Sequence, residues 1–417
     1  MERVWAVGKS FGVVTLLTLA CASLPLWAAF TGGQVPAPCM ALAAGGGILG
    51  ASILLTWACE IAQNDMPQAM AVAVVAIVAV LPEYAVDMYF TWMAGQQPDS
   101  GYACYALANM TGANRLLIGM GWPAIVCVAA LCAGAGRVQL APEQRVELFF
   151  LLMASLYALW IVFKGTLALY DGCVYVGLYV ACIARIISRG DRGEEPEGPA
   201  ALIAVWPRPG RVGATVGLFA VASLVILGCA EPFSESLVAT GRLWGLSEFL
   251  LVQWLAPIAS ETPEFVVALM FAARGHAALA LTSLLAAKLN QWTLLVGMIP
   301  GVYAVSLGSM ATPIPLEGRQ LQEVLLTAGQ SLFGLSLLWG LRLGVPAALA
   351  LLALFLMQMT TPLHADALAA RWNLPAAELR TFQAFAYLAL ALLVAGGRWW
   401  WGRGPINRPS QSGEQGG

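Results

Sequence analysis

The chain has 417 residues, of which 59% are hydrophobic and 11% charged, with a formal net charge of −2 at pH 7. Soluble domains carry about 25% charged residues, so this composition excludes a soluble globular protein and predicts a polytopic membrane protein. The near-neutral charge offers nucleic acid no electrostatic footing. Nine scattered cysteines and two histidines, His276 and His364, without a CxxC pair or a Cys/His cluster, argue against zinc or haem.

Apolar runs long enough to span a bilayer fall at roughly 11–30, 38–63, 67–93, 102–135, 147–164, 166–188, 212–231, 246–273, 276–307, 322–341, 343–360 and 379–399. An all-α protein of about 12 transmembrane helices is expected. Residues 1–30 read as a retained helix or as a cleaved signal peptide, although "TLAC" and "LWAAF" are weak processing signals. Connecting segments on one side hold Arg3, Lys9, Arg137, Arg145, Arg189, Arg192, Arg208, Arg211, Arg274, Arg342, Arg398, Arg403 and Arg408. Those on the other side hold only Lys164, Arg242, Arg319, Arg371 and Arg380. Cytoplasmic loops are enriched in Lys and Arg, so both termini are expected inside, in an integral multi-pass protein of a prokaryotic inner membrane. The hydrophilic insert 188–211 reads as a cytoplasmic linker between a first membrane half, 1–187, and a second, 212–400. Residues 362–378 read as an outer loop, and 401–417 as a disordered tail.

The two halves share a pattern. "VAVLPEYAVDMYFTWMAG" carries Pro82 and Glu83, and "IASETPEFVVALMFAARG" carries Pro263 and Glu264. A glycine turn follows each. Asn109 in "GYACYALANMTGANRLLIG" and Ser283 in "GHAALALTSLLAAKLNQWTLLVG" both stand eight positions after the glycine, with Asn114 and Lys288 five further on. In the topology above, the repeat at about 67–123 and the repeat at about 246–300 cross the bilayer in opposite senses. Inverted-topology repeats are the plan of secondary transporters, whose sites lie near the midplane on interrupted helices. Proline removes a backbone donor and frees carbonyls. Carbonyls and carboxylates are hard oxygen ligands for metal cations. A lone glutamate in mid-bilayer costs at least a few kcal/mol, so Glu83 and Glu264 are expected to meet at a cation site between the halves.

These motifs resemble the two alpha-repeats of the calcium/cation antiporter superfamily, which includes the sodium/calcium exchangers. There each repeat reads roughly G-[ST]-S-x-P-E, then an apolar helix, then G-N-x-x-G-S-N. "PE" at 82–83 and 263–264 and "ANMTGAN" at 108–114 match; "TSLLAAKLN" at 282–290 matches in spacing alone. The resemblance implies a ten-helix exchanger core with extra helices at the ends. It implies a secondary-active cation antiporter that works by alternating access and moves Ca2+ or another cation in exchange for Na+ or H+. Such a protein is not an enzyme and needs no cofactor beyond the transported ions. Its partners are inorganic cations and the lipid bilayer.

Carried over by position, Glu83 and Glu264 are the central metal-binding carboxylates, with Asn109 and Ser283 as partners. Ser260 and Glu261 stand where the family has hydroxyls; their counterparts Ala79 and Val80 offer no side-chain ligand. Lys288 replaces a neutral asparagine, and Asn114 is its counterpart; both are expected beside the ligands. Lys288 could pair with Glu261, or replace a bound sodium as a built-in cation. Asp87, one turn after Glu83, is placed to line an outer access path. The other readings are a cation channel, and an intramembrane enzyme or regulator without exchange activity. No GxSxG, HExxH or Walker A sequence supports an enzyme or an ATP-driven pump.

Overall fold

The structure, a computed structural model, describes residues 2–65, 80–188, 198–363, 375 and 378–402. Its helices are α1 (Glu2–Thr31), α2 (Ala37–Ala62), α3 (Leu81–Gln96), α4 (Tyr102–Leu116), α5 (Trp122–Ala133), α6 (Arg145–Lys164), α7 (Leu169–Ile187), α8 (Gly198–Ala204), α9 (Arg208–Trp244), α10 (Glu248–Ala273), α11 (Ala277–Asn290), α12 (Val296–Leu307), α13 (Arg319–Leu338), α14 (Val345–Thr360) and α15 (Leu379–Gly402). Among the described residues, ten stretches are long and apolar enough to cross a membrane, and α14 is a shorter apolar helix. The chain is therefore an all-α, multi-pass membrane protein. The start of the expected span 67–93, with Ala79, lies outside the described residues. So do His364, Arg371, most of the expected outer loop and residues 403–417.

Within the segment 188–211, α8 is helical, and α9 begins at Arg208, with proline in its first turn, where no intrahelical donor is missed. One departure from expectation follows from local chemistry: the second Pro-Glu span is not broken into half-helices. Pro257 and Pro263 both sit inside a continuous α10. Hydroxyls take up local carbonyls there: Ser260 donates to the oxygens of Ala256 and Pro257, at 3.2 and 3.3 Å, and Thr262 donates to that of Ile258. In the first half, by contrast, α3 starts at its proline, with Pro82 in the first turn.

Each half contains the same interrupted hairpin. Gly101 and Gly275 turn the chain at φ of 83° and 91°, a region open to glycine. Sixteen residues after each glycine a π-turn begins, at Leu117–Gly121 and Gln291–Leu295, joining α4 to α5 and α11 to α12. Two short antiparallel ladders tie the halves together. β1 (Arg137–Gln139), after α5, pairs with β4 (Arg342–Gly344), after α13. β2 (Thr166–Leu167), after α6, pairs with β3 (Ile314–Pro315), after α12.

Apolar packing forms a large cluster around α4–α7 and α11–α15, and a second around α2 and α9. The "AAGGGILG" run lets α2 approach its neighbours: a Cβ on Gly50 would stand 2.1 Å from the Thr18 hydroxyl of α1. At the end of α2, Asp65 accepts two hydrogen bonds from the Arg211 guanidinium, each 2.7 Å. This bond holds the Asp65 carboxyl below its usual range.

Candidate cation site

The first turn of α3 presents Glu83, and one face of α10 presents Ser260, Glu261 and Glu264, spaced three and four residues apart. Glu83 is 1% exposed and Glu261 fully buried; Ser260 is buried and Glu264 half-buried. The four side chains share one space. Glu83 lies beside Ser260 and Glu261, and Glu261 faces both Glu83 and Glu264. One oxygen of Glu261 accepts a hydrogen bond from Gln291, at the start of the second π-turn. Its other oxygen has no donor, and neither oxygen of Glu83 accepts a well-aligned bond.

One turn along α3, Asp87 is fully buried and accepts a hydrogen bond from Asn109 at 2.8 Å. Its second oxygen and the Asn109 side-chain oxygen are unmatched. Asp87 therefore extends the same polar interior and is closed off from solvent in this structure. The expected partner of Glu83 is instead partnered with Asp87.

Lys288 is fully buried on α11. It donates to the Asn114 side-chain oxygen at 2.7 Å and stands 4.5 Å from the centre of the Trp292 ring. Glu261 is within its electrostatic reach but not in contact, so the expected direct Lys288–Glu261 pair is not formed. Ser283, the counterpart of Asn109, is exposed and makes no side-chain hydrogen bond among the described residues. It is not drawn into the carboxylate space. Helix α11 turns a different face inward, presenting Leu284, Leu285, Lys288 and Leu289.

Around this space six buried side-chain oxygens thus stand without donors: two on Glu83 and one each on Asp87, Asn109, Glu261 and Gln291. Oxygen-only chemistry of this kind suits a hard cation. Among the described residues no three His, Cys, Asp or Glu side chains converge tightly enough to hold a metal. The carboxylates are neighbours that do not converge on one point.

Several polar residues around this space went unassigned from the sequence. Gln291 touches Glu261. Tyr84, next to Glu83, donates to Asn290 at 2.8 Å, and Asn290 donates to Tyr179 at 3.1 Å. On the other side of α4, Arg115, Gln253, Glu323 and Arg380 form a buried polar knot. A charge in mid-span, such as the arginine in "ANRLL", is a functional signal in itself. Glu323 gives less away, because it falls at the edge of an apolar run.

The profile of the sodium/calcium exchanger protein family matches residues 36–188 and 214–363. The matched segments run from α2 to α7 and from α9 to α14, leaving α1 and α15 outside. Among solved structures, the H+/Ca2+ exchanger CAX is 38% identical, with a TM-score of 0.83, over 94% of this chain and 96% of that one. The Ca2+/H+ antiporter protein YfkE is 14% identical, with a TM-score of 0.58, over 83% of this chain and 98% of its own. The sodium-calcium exchanger NCX_Mj is 16% identical, with a TM-score of 0.50, over 77% and 97%. At those two identities the likeness is one of fold. No curated protein sequence matches the chain.

Proposed function

This chain belongs to the sodium/calcium exchanger protein family and is a cation antiporter; from that premise we propose that it exchanges Ca2+ for H+ at the space lined by Glu83, Glu261 and Glu264. The observation that carries this reading is a pair of neighbouring buried carboxylates, Glu83 and Glu261, with three oxygens that no donor meets. Two carboxylates side by side in a low dielectric do not both stay charged alone. A proton on one, or a divalent cation between both, satisfies them. Those are the two loaded states an exchanger alternates between.

The proton is favoured over sodium as counter-ion by Lys288. A buried basic side chain, held by Asn114 within electrostatic reach of Glu261, stands where the superfamily pattern has a neutral residue. It leaves less reason to recruit sodium. The relative that is 38% identical is an H+/Ca2+ exchanger, which points the same way.

Alternating access between inverted-topology repeats belongs to this reading. It is supported by the matched π-turns and by the reciprocal ladders, in which a strand after the hairpin of each half pairs with a later strand of the other. The arginine distribution supports cytoplasmic termini.

Reconstitution tests the proposal. Ca2+ uptake into proteoliposomes is expected when a pH gradient is imposed and not when a Na+ gradient is imposed. Uptake driven by sodium alone overturns the choice of counter-ion. Uptake needing no counter-ion at all indicates a channel.

A further inference from the structure

The buried knot around Glu323 is electrically lopsided. Its carboxylate, fully buried on α13, takes Arg115 of α4 at 2.6 Å, Gln253 of α10 at 2.8 Å, and Arg380 of α15. Two guanidinium groups share one carboxylate, leaving a net charge of about +1 in a place where bare charge is costly. Arg115 is 2% exposed, and its guanidinium lies 5.1 Å from the centre of the Trp254 ring. Its backbone carbonyl accepts a bond from Gln330 at 3.2 Å. It is held from several sides and cannot swing into water.

This knot adjoins the residues that hold Lys288. Arg115 follows Asn114, which holds Lys288. Lys288 lies within electrostatic reach of both Arg115 and Glu261. Charge in the knot therefore acts on the carboxylates through low-dielectric protein, where Coulomb interactions are several times stronger than in water. The knot also touches the helix that bears Ser260, Glu261 and Glu264. Gln253 is on α10, and its backbone oxygen stands only 1.9 Å from where a Cβ on Gly112 of α4 would be.

We propose that Glu323 is a positioning residue that sets cation affinity, by neutralising Arg115 near Lys288 so that the carboxylate site faces a limited positive charge. This rests on the cation-site reading above. The ligand is the transported divalent cation, and the affinity tracks the net charge of the knot.

The test is a charge series read as the apparent KM for Ca2+, separately from the maximal rate. Glu323→Gln takes the knot from +1 to +2 and is expected to raise KM by ~10-fold or more, since ~1.4 kcal/mol of added repulsion is tenfold. The double variant Glu323→Gln with Arg115→Gln returns the knot to +1 and is expected to restore KM. Arg115→Gln alone makes the knot neutral and is expected to lower KM below the wild-type value. A purely structural role predicts the opposite for the double variant, which would be at least as impaired as either single one. That result, or a KM indifferent to all three, overturns the proposal. If Glu323→Gln does not fold, Arg115→Gln and the double variant still decide. Failure of the site reading looks different: wild type would then carry no counter-ion-dependent Ca2+ flux, and Glu264→Gln would change nothing.

Discussion

Lys288 and Asn114 hydrogen-bond to each other at 2.7 Å, and each stands thirteen residues after the glycine turn of its own half, Gly275 and Gly101. Equivalent positions of the two repeats thus meet side chain to side chain in the interior. Where the superfamily pattern puts a neutral residue on both sides, this chain puts an ammonium on one and keeps the asparagine on the other as its acceptor. The substitution is absorbed locally by that bond and by the Trp292 ring.

Restoring the neutral residue should therefore alter coupling more than folding. Lys288→Asn is expected to make Ca2+ exchange sensitive to sodium, because the basic group within electrostatic reach of Glu261 is gone. Flux measured under separate Na+ and pH gradients checks this. Exchange that stays driven by pH alone, with no response to sodium, shows that Lys288 does not stand in for an ion.

Neutralising Glu83 separates a ligand from a structural group. Glu83 has two buried oxygens without donors, so its charge costs stability unless a proton or cation is bound. Glu83→Gln is expected to abolish exchange while leaving the thermal midpoint in detergent unchanged or higher. A large fall in midpoint would mean that the carboxylate holds the helix start together instead.

Gly112 should tolerate no side chain. A Cβ there would stand 1.9 Å from the backbone oxygen of Gln253. That oxygen lies four residues before Pro257, so it lacks the usual helical donor. Gly112→Ala forces α4 away from α10 and is expected to destabilise the protein by about 1–3 kcal/mol, the range for overpacking. Thermal unfolding of the purified variant gives the number, and a midpoint equal to wild type would contradict the close approach.

The Asp65–Arg211 bond should impose an acid limit. Arg211 lowers the Asp65 carboxyl below its unfolded value, so the bond's contribution is full above about pH 4 and is lost as pH falls through the lower folded value. Asp65→Asn is expected to unfold at lower temperature than wild type at pH 7, with the gap closing below about pH 4. Melting curves across that range test it. A gap independent of pH would assign the effect to packing.

How far the site could be read from residues alone depends on the kind of signal. Pro-Glu pairs followed by matched spacings mark Glu83 and Glu264 because repeats preserve order along the chain. The same spacing logic misplaces Ser283, which shares a register position with Asn109 but not a helix face turned inward. Asp87 illustrates the converse: its position near a span end suggests water, while Asn109 encloses it at 2.8 Å.

The composition determined a membrane protein, because so few charges and so many apolar side chains leave no other solvent. The repeated motifs determined the family, because a Pro-Glu element and a polar element at fixed separations survive as linear patterns. Only the tertiary structure decided which polar groups share a space. Glu261 joins Glu83 by crossing from one half to the other, Lys288 turns to Asn114 rather than to Glu261, and Glu323 gathers two arginines from different helices. Those partners are far apart in sequence, and helix rotation and packing, which no local pattern encodes, choose among them.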